Sequence, residues 1–429
     1  MMKRFVTAVV CFGLLVSFMA TNKPSHAQEM AQTIRVSVVP GPMQATMNKI
    51  IARYIAENPG VNITLELEPE GGVFQALIAA GNQPDLVITS FGPQLGTLAA
   101  QNALVPIDML EGGKALLERI TPRAVQKLYG RNYYVPIGAD ITLMIYNRAL
   151  FEEAGLDPQK PPKTWAEFLR AIEAIHALPP RPDGSKVYGT VFWNDALQWG
   201  GWYWNMLQPI YLNANQGKCQ LMNALGTDVI IDRPECKLDK FFEFVRAAQQ
   251  FAPPTGEPSF FSRNVGTWLQ YGYSWQPNLR NANQGPMVIG EDVLVAPVPV
   301  PEEGDQSFST FGGRAAIIMR TTPEREARAW HFLQFLMQDE NNYQFITELG
   351  YLPVLTSLQD DPYFQTPDKE VFVQLLQNSL VPEQFANADR AAVAIQAIYQ
   401  EVVVKGSIPL DEAVRAAAEA ARRAIRSTR

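Results

Sequence analysis

Between residues 34 and 107 the apolar positions switch repeatedly between a period of two and the helical period. Ile34, Val36, Val38 and Val39 make a short apolar run, and Met47, Ile50, Ile51, Tyr54 and Ile55 follow at helical spacing until Pro59-Gly60 stops the helix. Val61, Ile63, Leu65 and Leu67 then alternate with Asn62, Thr64, Glu66 and Glu68, the pattern of an edge strand with one wet face. A helix from Val73 to Gly81, a strand at Leu86-Val87-Ile88 and a helix from Gln94 to Asn102 complete the stretch. Repeated strand–helix units predict a parallel sheet with right-handed crossovers.

A second region opens after a strand at Ile141–Tyr146. Thr164-Trp165-Ala166-Glu167 is a capping box, and Phe168, Leu169, Ile172 and Ile175 give its helix a buried stripe. Leu238, Phe241, Phe242 and Val245 mark a further helix. Residues 291–300 return to strand character and end in the ladder Pro297, Pro299, Pro301, which reads as a crossing between domains. Thr322-Pro323 opens a helix that runs to Met337, and Leu410–Ile425 forms an amphipathic terminal helix.

The first residues carry a different message. Lys3-Arg4, the apolar run Phe5–Ala20 and Ser25-His26-Ala27 form a secretory signal peptide over residues 1–27, cleaved after Ala27. The alternative, a membrane anchor, needs a longer apolar run. Cys11 follows Val9-Val10 rather than the small residues of a lipoprotein site, so no lipid anchor is expected. Removing Lys3, Arg4 and Lys23 with no acid moves the formal charge from −7 to −10. That balance offers no basic surface for nucleic acid, and a soluble periplasmic protein is expected. The remaining cysteines, Cys219 and Cys236, most simply form one disulfide in an oxidising compartment, two buried free thiols being the alternative. The 429 residues allow two or three domains.

Catalytic and metal patterns are missing: HExxH, CxxC, Walker A, GxGxxG and GxSxG do not occur. His176 and His331 fall on separate predicted helices and read as structural, so no metal or cofactor is expected. An exported glycan-active enzyme using a carboxylate pair stays open, since such pairs have no sequence signature. The distinctive feature is aromatic: Trp193, Trp199, Trp202, Trp204, Trp268 and Trp275 cluster, joined by Tyr203, Tyr271 and Tyr273. Any one of these rings is best read as core. Three consecutive rings, Trp202-Tyr203-Trp204, cannot all face one core, so at least one faces a cleft or solvent. Aromatic faces suit the C–H faces of sugar rings, and planar Asp, Asn, Gln and Arg groups suit hydroxyls.

Several short segments, in order, resemble the family 1 extracellular solute-binding proteins, periplasmic sugar-capturing components of ABC importers. They are Ala56-Glu57-Asn58-Pro59-Gly60-Val61, Ala80-Gly81-Asn82-Gln83-Pro84-Asp85, Tyr134-Val135-Pro136-Ile137-Gly138-Ala139-Asp140 and Tyr146-Asn147. Leu150–Leu156, Pro161-Pro162-Lys163-Thr164-Trp165, Ala296-Pro297-Val298-Pro299, Gly312-Gly313, Ala329–Leu333 and Leu352-Pro353-Val354 continue the series. The resemblance implies an α/β, two-lobed type II periplasmic-binding-protein fold, each lobe a mostly parallel sheet flanked by helices, joined by crossing strands. It places residues 28–137 with 289–338 in the first lobe and 138–288 with 339–429 in the second. It implies a monomer that holds a carbohydrate between the lobes and hands it to membrane permease subunits by hinge closure. Glycerol phosphate or a polyamine is the alternative cargo.

Candidate contacts follow from the same resemblance. Thr89, Ser90 and Phe91 follow a strand at its C-terminal edge, where open α/β sheets bind ligands. Asp140 stands where the sugar binders are commonly acidic; Trp199, Trp202, Tyr273 and Trp275 stand where stacking aromatics occur. Gly312-Gly313 brings backbone near ligand with Arg314 beside it. Pro40-Gly41-Pro42-Met43 departs from the polar first loop of the best-known sugar binders, leaving Gln44 as the nearest substitute. Tyr133-Tyr134 echoes the tyrosine pair of ferric-ion binders, but the resemblance sets it before the lobe crossing.

Overall fold

The computed structural model describes residues 33–68, 72–194, 202–272, 275–282 and 284–426. The signal peptide expected at 1–27, Trp199 and Tyr273 lie outside them. Three strands, β1 (Thr33–Val38), β2 (Asn62–Leu67) and β3 (Leu86–Ser90), begin the first lobe. Val36, Val38, Leu86, Val87 and Ile88 are wholly buried, as strands covered on both faces must be. β2 is the outer strand, and its apolar face is covered progressively less along its length: Ile63 is buried while Leu67 is half exposed. The Pro84-Asp85 landmark has a structural reason. Buried Asp85 accepts from the Arg35 amide at 2.8 Å and pairs with Arg325 at 2.6 Å, tying β1 to the helix Pro323–Leu336.

β4 (Val135–Asn147) is longer than the sequence pattern predicts, because two partners share it. Its first half pairs antiparallel with β8 (Ser309–Ile318), from Val135↔Ala316 to Ile141↔Phe311. Its second half pairs with β6 (Val265–Gly272) and β7 (Val293–Ala296), and β5 (Tyr188–Thr190) lies parallel to β6. β9 (Ser379–Leu380) adds to the start of β8. The order β2-β1-β3-β8-β4-β6-β5 therefore runs through both lobes, which share β4 and β8. Each lobe is an α/β unit whose sheet turns mixed where those crossing strands enter antiparallel.

Two segments pack differently from the expected division at 288 and 338. Residues 293–301 stay with the second lobe: β7 pairs with β4, and Val300, between Pro299 and Pro301, supplies both amide and carbonyl to Lys163 and Trp165. The proline ladder thus docks a helix start through the Val300 backbone, with Trp165 Nε1 donating to the Pro299 carbonyl at 2.9 Å. The helix Asp339–Leu349 packs on Pro42–Glu57 in the first lobe, with Thr46 and Lys49 on Glu348 at 2.8 and 3.0 Å and Arg53 on Asn341 at 2.6 Å. Beyond it, Leu352 bridges Ala139 and Leu355 bridges Ile120.

The second lobe carries the helices Trp165–His176, Trp202–Asn215 and Leu238–Gln249. The Thr164–Glu167 capping box is formed reciprocally, and Leu238, Phe241, Phe242 and Val245 are buried as their spacing requires. Leu410–Arg426 packs back on Ala388–Tyr399 and on Leu238–Gln249. Cys219 and Cys236 are joined in a disulfide, Cα atoms 5.2 Å apart, closing a loop on the lobe's surface.

Candidate functional site

Where the two lobes meet, a cavity of about 460 Å³ opens along the crossing strands. The crossing strands themselves contribute Asp140 and Thr142 from β4 and Thr310, Gly312, Gly313 and Arg314 from β8. Pro40 lies past the C-terminal end of β1, Ser90 ends β3 and Phe91 follows it, and Tyr351 follows the helix Asp339–Leu349. The second lobe adds Met206, Gln270, Gly272, Trp275, Asn278 and Pro382. A second hollow of about 500 Å³ lies at the far end of β4. Its cations are already engaged: Arg263 on Asp292 at 3.3 Å, Arg181 on Glu153 at 2.6 Å and Arg148 on the Gly290 and Glu291 carbonyls. The interlobe cavity is therefore the candidate site.

Arg314 is held rigid. Its Nε donates to the Tyr351 hydroxyl at 2.7 Å and a terminal nitrogen to Ser90 Oγ at 2.5 Å, while its guanidinium carbon lies 5.9 Å from the centre of the Tyr351 ring. Both hydrogen-bond partners are neutral hydroxyls. Nearby, burial pushes the Glu68 carboxyl above its usual range, opposed by a hydrogen bond from Thr89 and by the charge of Arg314. Asp140 faces Gly312 across the strand pair. A Cβ at Gly272 would fall 2.5 Å from its carboxylate, so only glycine lets Asp140 lie against β6. Gly313 has φ of +117°, and a Cβ there would fall 2.2 Å from the Gly138 carbonyl.

The aromatic wall is braced from behind. Trp275 is half-buried, edge-on to Trp193 at 4.8 Å and to Trp268 at 5.7 Å, and those two rings stack on one another at 5.3 Å. Trp204 is core, packed on Tyr211 and Phe241. Trp202 opens the helix Trp202–Asn215.

Of the residues expected from sequence, Ser90, Phe91, Asp140, Trp275, Gly312, Gly313 and Arg314 line one cavity. Thr89 is buried behind it, bonded to Glu68, because strand alternation turns it away from Ser90. Gln44 lies in the helix Pro42–Glu57 outside the lining, and Pro40 takes that wall instead. Tyr134 is buried edge-on to Phe91 at 5.5 Å. His176 packs against Tyr188 and Phe251, and His331 Nδ1 meets the Tyr54 hydroxyl at 2.7 Å. Glu68, Gln270, Gly272, Tyr351 and Pro382 were not anticipated. Two carried a readable signal: Gln270 is the amide in a largely apolar strand, and Tyr351 adjoins Leu352-Pro353.

Two α/β lobes that share crossing strands around a cavity of aromatic rings, a carboxylate and a fixed guanidinium define a two-lobed solute-binding protein. Among the described residues no His, Cys, Asp and Glu group is arranged to hold a metal ion. The chain belongs to the bacterial extracellular solute-binding protein family, which it matches over residues 40–343. It is 26% identical over 416 residues to a binding protein of Brucella abortus, covering 90% of this chain and 92% of that one. With the maltotriose-binding protein of Pyrococcus abyssi it shares 26% identity over 331 residues, 72% of this chain and 63% of the relative. The fold is that of the cyclic alpha-maltosyl-1,6-maltose binding protein of Arthrobacter globiformis, with TM-score 0.76, 19% identity and coverage of 92% of this chain and 99% of that one.

Proposed function

We propose that the protein captures a neutral carbohydrate in the interlobe cleft and delivers it to the permease of an ABC importer. The observation that carries this reading is the composition of one cavity. A braced tryptophan shares the cavity with Asp140, Arg314 and Ser90, the combination of apolar face and bidirectional hydrogen bonding that a sugar ring requires. Relatives that include a maltotriose-binding protein support it. Among the described residues the lining sets one carboxylate, Asp140, against its one cation, Arg314, in the charge balance, so the cleft carries no surplus positive charge for a phosphate, which disfavours glycerol phosphate.

Binding acts by closing a hinge. A ligand that touches Ser90 or Arg314 on one side and Trp275 on the other favours the state in which both are within reach. Inverting a 1:99 open-to-closed ratio takes about 10⁴-fold preference, which contacts on one lobe alone do not provide. The lobes divide as residues 33–139 with 312–355 against 140–311 with 356–426, a division supported by the strand pairing. Residues 1–27 act as a cleaved signal peptide, the protein works as a periplasmic monomer without a lipid anchor, and it performs no chemistry on its ligand. No helix among the described residues is long and apolar enough to cross a membrane.

Isothermal titration and tryptophan emission against maltotriose, monosaccharides and polyols test the reading. A binder should shift emission and reduce the radius of gyration in small-angle scattering. A panel in which no compound does either refutes carbohydrate capture.

A further inference from the structure

Gln270 is the one cavity-lining residue whose backbone, orientation and unmet hydrogen-bonding all point the same way. The β4–β6 ladder slips at this point: Leu143 pairs with Tyr271 and Ile145 with Trp268, so Leu269 and Gln270 together oppose Met144 alone. That is a β-bulge, a device that re-aims a side chain next to a site. The side chain is then locked. Trp268 Nε1 donates to Gln270 Oε1 at 3.3 Å, and an indole nitrogen can only donate, so the carboxamide is oriented with oxygen toward Trp268. Nε2 is what remains for the cleft. Gln270 is 2% exposed, and its Nε2 has no hydrogen-bond partner among the described residues.

An unmet buried donor is a cost the fold tolerates only if something else meets it. We infer that Gln270 is a specificity-determining residue, its Nε2 donating to an oxygen of the bound sugar. The bulge sets its direction and Trp268 sets its rotamer. The inference rests on carbohydrate capture in this cleft and goes further, naming the second-lobe donor that selects a ligand oxygen at that depth. A sugar lacking that oxygen leaves the amide unmet and binds poorly, whereas rings that differ only at exposed positions are accepted.

The test titrates wild-type protein, Gln270→Met and Gln270→Glu with maltotriose as the probe. Gln270→Met should weaken binding about 10- to 100-fold. Because that change also strips Trp268 of its acceptor, Gln270→Glu serves as the second variant: it keeps the acceptor and removes the donor. Its affinity should be low at about pH 8 and recover toward about pH 5, as the buried carboxyl takes up a proton and can donate again. A merely structural glutamine would show no such profile. Wild-type affinity in folded Gln270→Met, or in Gln270→Glu at every pH, overturns the inference while leaving carbohydrate capture intact. Failure of the wild-type protein to bind maltotriose or any other sugar of the panel refutes carbohydrate capture, and this inference with it.

Discussion

Glu383 makes stability depend on pH in a direction opposite to that of most carboxylates. Its two oxygens accept the backbone amides of Leu221 and Met222 at 2.7 and 2.6 Å, inside the loop closed by the disulfide. Gln220 Nε2 adds a bond to the Val381 carbonyl at 2.9 Å, so the loop clamps the segment whose Pro382 walls the cleft. Burial pushes the Glu383 carboxyl up to about 8 from 4.5, outweighing the two amides that pull it down. The folded chain therefore holds this proton more tightly than the unfolded chain. The group's stabilising contribution is fully present below pH 4.5 and is lost as pH rises toward about 8. The full shift corresponds to ~5 kcal/mol, and partial exposure of the side chain reduces the expected change to ~2–3 kcal/mol. Urea unfolding of wild type and Glu383→Gln between about pH 5 and about pH 8 isolates it, since the variant keeps every other titrating group. Glu68, whose carboxyl is also raised, cancels in that comparison. The wild-type advantage over Glu383→Gln should shrink steadily with rising pH. A constant difference, or one that grows, refutes the assignment.

Trp275→Ala should weaken maltotriose binding about 10- to 100-fold with little change in far-ultraviolet circular dichroism, since the ring is half-buried and braced on one side only; titration calorimetry checks it. Gly272→Ala places a methyl 2.5 Å from the Asp140 carboxylate and should lower the melting temperature and ligand affinity together, whereas an unchanged melting curve would mean that β6 yields at no cost. Replacing both Cys219 and Cys236 by serine opens a 17-residue loop and should cost about 3 kcal/mol in denaturant titrations, with hydrogen exchange accelerating at residues 379–385 ahead of β1–β3.

Reading by period and cap works where the determinant is local. The Thr164 capping box, the Thr322-Pro323 start and the buried faces of Leu238–Gln249 depend on residues within a turn or two of one another, and all three stand in the structure. The edge position of β2 follows as directly from its wet alternate face. The proline ladder misled because proline marks an unpaired backbone nitrogen without saying which lobe the neighbouring Val300 bonds to. Helix Asp339–Leu349 has a readable amphipathic face, but the partner that Glu348 and Asn341 reach, some 290 residues earlier in the chain, has no local signal.

The site divides along the same line. Asp140, Gly312-Gly313, Arg314 and Trp275 were visible because ordered landmarks carry a resemblance, and the structure draws them around one cavity. Thr89 and Ser90 are neighbours in sequence, yet strand alternation sends one behind the sheet and the other into the cleft, a choice set by which face β8 and β1 leave open. Glu68, Gln270 and Tyr351 acquire meaning only from partners far along the chain: Thr89 and Arg314, the bulge opposite Met144, and the guanidinium that Tyr351 supports. Propensity, capping and hydrophobic period act over a few residues, so they sufficed for the capped and strongly periodic elements, for the landmarks of the family and for the pool of aromatic and polar groups, but not for β8 or the helix Trp202–Asn215. Which of those groups share a cavity was decided by the tertiary structure, because β4 and β8 must pair across both lobes before any two walls of the cleft can face each other.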